Sequence, residues 1–158
     1  MAYVDNPNGF VCVGTLNGGP APEPMYARLD VNQTISRGDM LIASGGYLQI
    51  AAASSVVLIG VAVESIVASA SVYKWVGFIP ALPHVLFEGQ CSGTATIADL
   101  WTVCDIEGTT GIMEINEDAT SYGVIAPVAL SNETEGFGTG AGTRLKFMVQ
   151  KSLWNISA

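Results

Sequence analysis

The chain has 158 residues, enough for one domain to bury a sizeable core without a disulfide or metal to hold it. Apolar residues make up 49% and charged ones only 13%, so many solvent-face positions must carry Ala, Ser, Thr or Gly, a surface suited to partial cover by partners. Fourteen acidic against six basic residues give a formal charge of −8, and Arg28, Arg37, Lys74, Arg144, Lys146 and Lys151 form no dense cluster, which argues against a nucleic-acid partner.

Residues 1–24 read as an extended N-terminal arm. Pro7, Pro20, Pro22 and Pro24 with Gly9, Gly14, Gly18 and Gly19 exclude a helix and leave room only for a short strand over Phe10–Val13. Its apolar residues Tyr3, Val4, Phe10, Val11, Val13 and Leu16 are too many for a solvated tail, so the arm is expected to lie along a surface, its own or a neighbour's. Residues 25–158 read as the β domain. Met25–Val31 alternates as a strand with Tyr26, Arg28 and Asp30 on one side.

Ile35–Pro80 reads as four strands joined by small-residue turns. Met40–Ala43 and Tyr47–Ala52 flank Ser44-Gly45-Gly46, the spacing of a tight hairpin. Val57, Ile59, Val61 and Val63 fall on one face of an extended chain and Val56, Leu58, Gly60 and Ala62 on the other, so a strand here is apolar on both faces and suits the interior. Val72–Ile79 follows, stopped by Pro80. Ile50–Val72 is apolar enough to suggest a membrane span, but Glu64 lies within it and no flanking Lys or Arg sets an orientation, so no membrane partner is expected.

Val85–Glu88 is a further short strand, and Thr94–Trp101 is the one helical candidate, of one or two turns. Ile112–Asn116, Tyr122–Leu130 and Thr143–Gln150 complete the strands, Pro127 placing the second at an edge or a bulge. Short strands, Gly-rich turns and almost no helix predict an all-β barrel or sandwich with at most one short helix.

The motifs favour structural over chemical roles. Arg37-Gly38-Asp39 matches an adhesion triplet, yet before an apolar strand it reads as a turn in which Gly38 takes positive φ and Asp39 binds backbone N–H groups. Gly136–Gly142 lacks the helix that a phosphate cradle needs after its glycines. His84, the only histidine, lies in a loop, and no serine sits in a nucleophile elbow, so no catalytic residue is assigned. Glu114, Glu117, Asp118, Asp105 and Glu107 read as solvated turn carboxylates rather than a cation site. Cys12, Cys91 and Cys104 have no CxxC spacing, so neither a disulfide framework nor a metal or other cofactor is expected. The first ten residues lack the basic start and long apolar core of a secretory signal, which suggests synthesis in a reducing cytoplasm. Trp154, in the polar stretch Ser152–Ala158, is the candidate among three tryptophans for a contact outside the domain.

The order of an Asn6-Pro-Asn-Gly-Phe10 arm, Arg37-Gly-Asp-Met-Leu-Ile42, a Gly-Gly hairpin, Ile59-Gly-Val-Ala-Val-Glu64, Val76-Gly-Phe-Ile-Pro80 and Phe87-Glu-Gly-Gln90 resembles the small capsid decoration, or cement, proteins of tailed bacteriophages. The similarity runs from Asn6 to about Leu130 and rests on turn and strand patterns. The resemblance implies a β-barrel or β-tulip domain, a homo-oligomer with a trimer favoured, no enzymatic activity, and a place on the outer surface of the expanded head against the major capsid protein. On that reading Tyr3, Val4, Phe10, Val11 and Leu16 are the arm's capsid contacts, and removing residues 1–24 is expected to leave the domain folded but unable to bind heads. The alternative is a receptor- or carbohydrate-binding β module of a phage tail or cell surface.

Overall fold

A computed structural model describes residues 5–132, 136–138 and 140–155. Among these the strands are β1 (Val11–Thr15), β2 (Met25–Leu29), β3 (Thr34–Ile35), β4 (Met40–Ser44), β5 (Tyr47–Ile50), β6 (Gly60–Ala62), β7 (Ile66–Val67), β8 (Lys74–Pro80), β9 (Val85–Gln90), β10 (Asp105–Glu107), β11 (Glu114–Asn116), β12 (Ile125–Leu130) and β13 (Arg144–Val149). The protein is all-β. Strands β2-β5-β4-β6-β8 close a barrel, and β1-β9-β13-β12 form a four-stranded antiparallel sheet beside it, with β10-β11 and β3-β7 as small ribbons.

Local chemistry explains several of these elements. Gly45 and Gly46 hold φ of 58° and 85°, the left-handed pair that a two-residue hairpin turn requires, and they set the β4–β5 register at Ser44 opposite Tyr47. Pro127 has no N–H to give, and β12 is accordingly the outer strand of its sheet with its register shifting between Pro127 and Ala129. The helical candidate is reduced to a 3-10 turn over Ile97–Asp99. Thr96 caps it, its Oγ1 accepting from the Ala98 N–H while its own N–H donates to Asp99 Oδ2 at 2.6 Å. Leu100 is already extended and Trp101 adopts φ of 66°, which ends the helical run.

Two cores result. The smaller fills the barrel with Leu29, Leu41, Leu48, Ile59, Val76 and Phe78. The larger lies between barrel and sheet and includes Phe10, Met40, Val61, Phe87, Ile115 and Phe147. Strand β6 separates them, Val61 facing the larger core and Ala62 the smaller, so it is apolar on both sides as expected of an interior strand. That strand is shorter than the sequence suggests. Val56 and Val57 lie outside it and are 53% and 43% exposed, because Leu58 is drawn into a bridge with Ser152 instead of pairing within the barrel. The stretch considered for a membrane span is thus broken into short strands and turns, and among the described residues no helix is long and apolar enough to cross a membrane.

The N-terminal segment is woven into this domain. β1 pairs antiparallel with β9, the Phe10 N–H donates to the Gly38 carbonyl at 2.8 Å, and the Gln90 side chain donates to Asp5 and accepts from the Asn6 N–H. Of the two surfaces open to the arm, the described part occupies its own.

Candidate interaction surface

The arm residues separate into three groups. Tyr3 and Val4 lie outside the described residues. Val11 and Leu16 are 42% and 52% exposed and, with Val13, give the outer strand β1 and the turn after it an apolar rim. Phe10 requires a correction. It is 3% exposed, with its ring edge-on to Phe147 at 5.2 Å and closing over Gly89, where an added Cβ would fall 2.5 Å from the ring. A side chain so enclosed is core, and it leaves the set of outward contacts.

Trp154 is half-buried and anchored to its own domain. Its indole N–H donates to the Ile59 carbonyl at 2.8 Å, and its ring packs against both cores. The residue pins the C-terminal stretch across the barrel, satisfying its one polar group internally.

A cluster of exposed aromatic side chains lies elsewhere, on the outer face of β2 and β8. Antiparallel register sets Tyr26 opposite Gly77 and Arg28 opposite Trp75. Gly77 has no side chain to obstruct this arrangement, and a Cβ there would meet the Tyr26 ring at 3.0 Å. Tyr26 and Trp75 are 62% and 58% exposed, the Arg28 guanidinium lies 5.8 Å from the Trp75 ring centre, and Tyr73 stacks on Tyr47 at 4.6 Å. Glu64, the acid within the apolar run, accepts from the Gly77 N–H at 2.6 Å beside the same face. Sequence alternation places Tyr26 and Arg28 on one side, but only the β2–β8 pairing brings Trp75 to them.

The remaining polar candidates hold loops. Asp39 is fully buried and accepts from the Ser36 N–H, the Thr110 hydroxyl and the Gly111 N–H at 2.6 to 2.7 Å, so the Arg-Gly-Asp carboxylate is spent inside the fold. Gly38 takes φ of 94°, as the turn requires. Asp105 accepts from the Tyr122 and Gly123 N–H groups, Glu107 from Asn116 and Glu114 from Gln90. Glu117 differs from these. It is 6% exposed with neither oxygen hydrogen-bonded, and burial raises its carboxyl above the ordinary range. Among the described residues no three His, Cys, Asp or Glu side chains converge as a metal would need. His84 is exposed in the β8–β9 connection, where its carbonyl accepts from the Leu16 N–H. The Gly136–Gly142 segment joins β12 to β13, strand to strand.

Comparison with protein-family models, with curated proteins and with solved structures finds no match to this chain.

Proposed function

We propose that the protein is a structural decoration protein, binding the outer surface of an expanded phage head and bridging major capsid protein subunits. The observation that carries this reading is the exposure of large apolar side chains on two different sheets, Val11 and Val13 on β1 with Leu16 just after it, and Met25, Tyr26 and Trp75 on β2 and β8. A monomer free in solution gains nothing from two such areas, whereas a protein that bridges neighbours needs at least two. Once one contact is made the second becomes intramolecular, so modest contacts add to firm attachment, and any contact present only on the expanded lattice stabilises that lattice by mass action. Self-association into a trimer belongs to the same proposal, one of the two areas serving the sister subunit.

The experiment is co-sedimentation of the purified protein with heads lacking it, expanded and unexpanded, together with sedimentation velocity of the free protein. Saturable binding to expanded heads alone supports the reading; absence of binding to either form overturns it. The Tyr26, Trp75 and Tyr73 rings also favour a second reading, a carbohydrate-binding module that stacks sugar rings on that face. Saturable binding on a glycan array, abolished by Trp75→Ala, would select it.

A further inference from the structure

A cavity of about 520 Å³ opens between the N-terminal segment and the barrel. Among the described residues its apolar lining includes the exposed Ala21 and half-buried Val63 as well as the buried Phe10, Val61 and Ile79, its charged lining residues are Arg37 and Arg144, and no Asp or Glu lines it. The two cations are not equivalent. Arg144 is matched, its Nε donating to Glu88 at 2.8 Å and its Nη1 to Asn8 at 3.4 Å. Arg37 is held only by its main chain, whose N–H donates to the Ser65 hydroxyl, and its exposed guanidinium has no acceptor among the described residues. An unmatched positive charge therefore stands at an apolar cavity in a chain whose formal charge is −8.

The wall is built in advance. Gly9 and Gly38 sit back to back with φ of 76° and 94°, so close that a Cβ on Gly9 would fall 2.7 Å from the Gly38 carbonyl oxygen. That approach, locked by the Phe10–Gly38 hydrogen bond, fixes the turn that presents Arg37. A preformed cavity with an apolar floor and one free guanidinium matches a group with an apolar body and a planar anionic end.

We propose that this cavity binds a carboxylate carried on a short apolar stem, Arg37 taking the carboxylate and the Ala21 and Val63 side taking the stem. Two sources carry that chemistry, a free short-chain carboxylic acid and a glutamate side chain of a polypeptide. The cavity shares Val11 with the rim assigned to head binding, but the proposal stands or falls separately from that reading.

Cys12 lines the same cavity and is half-buried, whereas Cys91 and Cys104 are buried, so the native protein contains its own reporter. The Cys12 thiolate attacks the methylene carbon of iodoacetate or iodoacetamide and displaces iodide, the two reagents differing in charge. Normalised to a neutral thiol such as N-acetylcysteine amide, the iodoacetate to iodoacetamide rate ratio at low salt is expected to be raised about threefold or more, and to return to that of the free thiol in Arg37→Gln. Hexanoate is expected to protect Cys12 saturably, while hexanol is not. Protection by hexanoate alone assigns the free acid, and protection by acetyl-Ala-Glu-Ala-amide at equal or lower concentration assigns the polypeptide source. A ratio identical in wild type and Arg37→Gln, or equal protection by hexanol and hexanoate, would overturn the proposal.

Discussion

At the residue scale the buried polar groups divide by whether they are satisfied. Asp39 receives two backbone N–H groups and a hydroxyl and ties the β3–β4 turn to residues 110–111. Asp39→Ala strands these donors, and we expect a loss of about 3 kcal/mol or more in urea unfolding. Glu117 is the opposite case, since its folded environment prefers the neutral acid. The native protein then holds this proton to higher pH than the unfolded chain, whose glutamate titrates near 4.5. The resulting stability is present below that pH and is lost as pH rises through the raised folded value. Glu117→Gln should therefore be more stable than wild type at pH 7, by about 1 kcal/mol, with a flatter stability profile between pH 4 and 8. Equal slopes in the two proteins would count against it. Burial pushes the Cys104 thiol up to about 12 and Cys91 higher still, so native alkylation followed by mass spectrometry should modify Cys12 first and leave these two intact.

At the scale of elements, the N-terminal segment decides how truncation must be interpreted. Removing residues 1–24 deletes β1 and takes Phe10 out of the larger core, so it should destabilise the domain rather than merely detach an arm. Phe10→Ala alone is expected to cost about 3–5 kcal/mol. Val11→Ser, on the exposed side of the same segment, should cost less than about 1 kcal/mol, and the contrast is measurable by urea denaturation. The same contrast shows what could be read from the sequence. The Gly45-Gly46 hairpin and the bulge at Pro127 were legible because each follows from a property of the residue itself, permitted positive φ in one case and a missing donor in the other. Which of Phe10 and Val11 faces inward was not legible, because it depends on β9, more than seventy positions along the chain. Nor was barrel closure, which rests on a parallel contact of Leu29 with Leu48. The apolar pattern extends the short interior strand β6 back to Val56, because an unbroken apolar run does not mark its own ends.

For the whole molecule, an accessible surface of 7624 Å² is close to the roughly 7,500 Å² expected of a folded monomer of this size. The exposed Tyr26, Trp75, Val11 and Leu16 are therefore not the product of loose folding, and they are open to the partner proposed above. Of the candidate contacts, Val11 and Leu16 could be picked out as part of an apolar arm, whereas the β2–β8 face needed the strand register to bring Trp75 beside Arg28. The most direct measurement is occupancy on expanded heads for wild type and for a Tyr26→Ala, Trp75→Ala double variant with an unchanged urea midpoint. The account predicts that the variant's occupancy at subsaturating concentration falls at least about tenfold, as losing two aromatic anchors implies. Equal occupancy of the two proteins would contradict it.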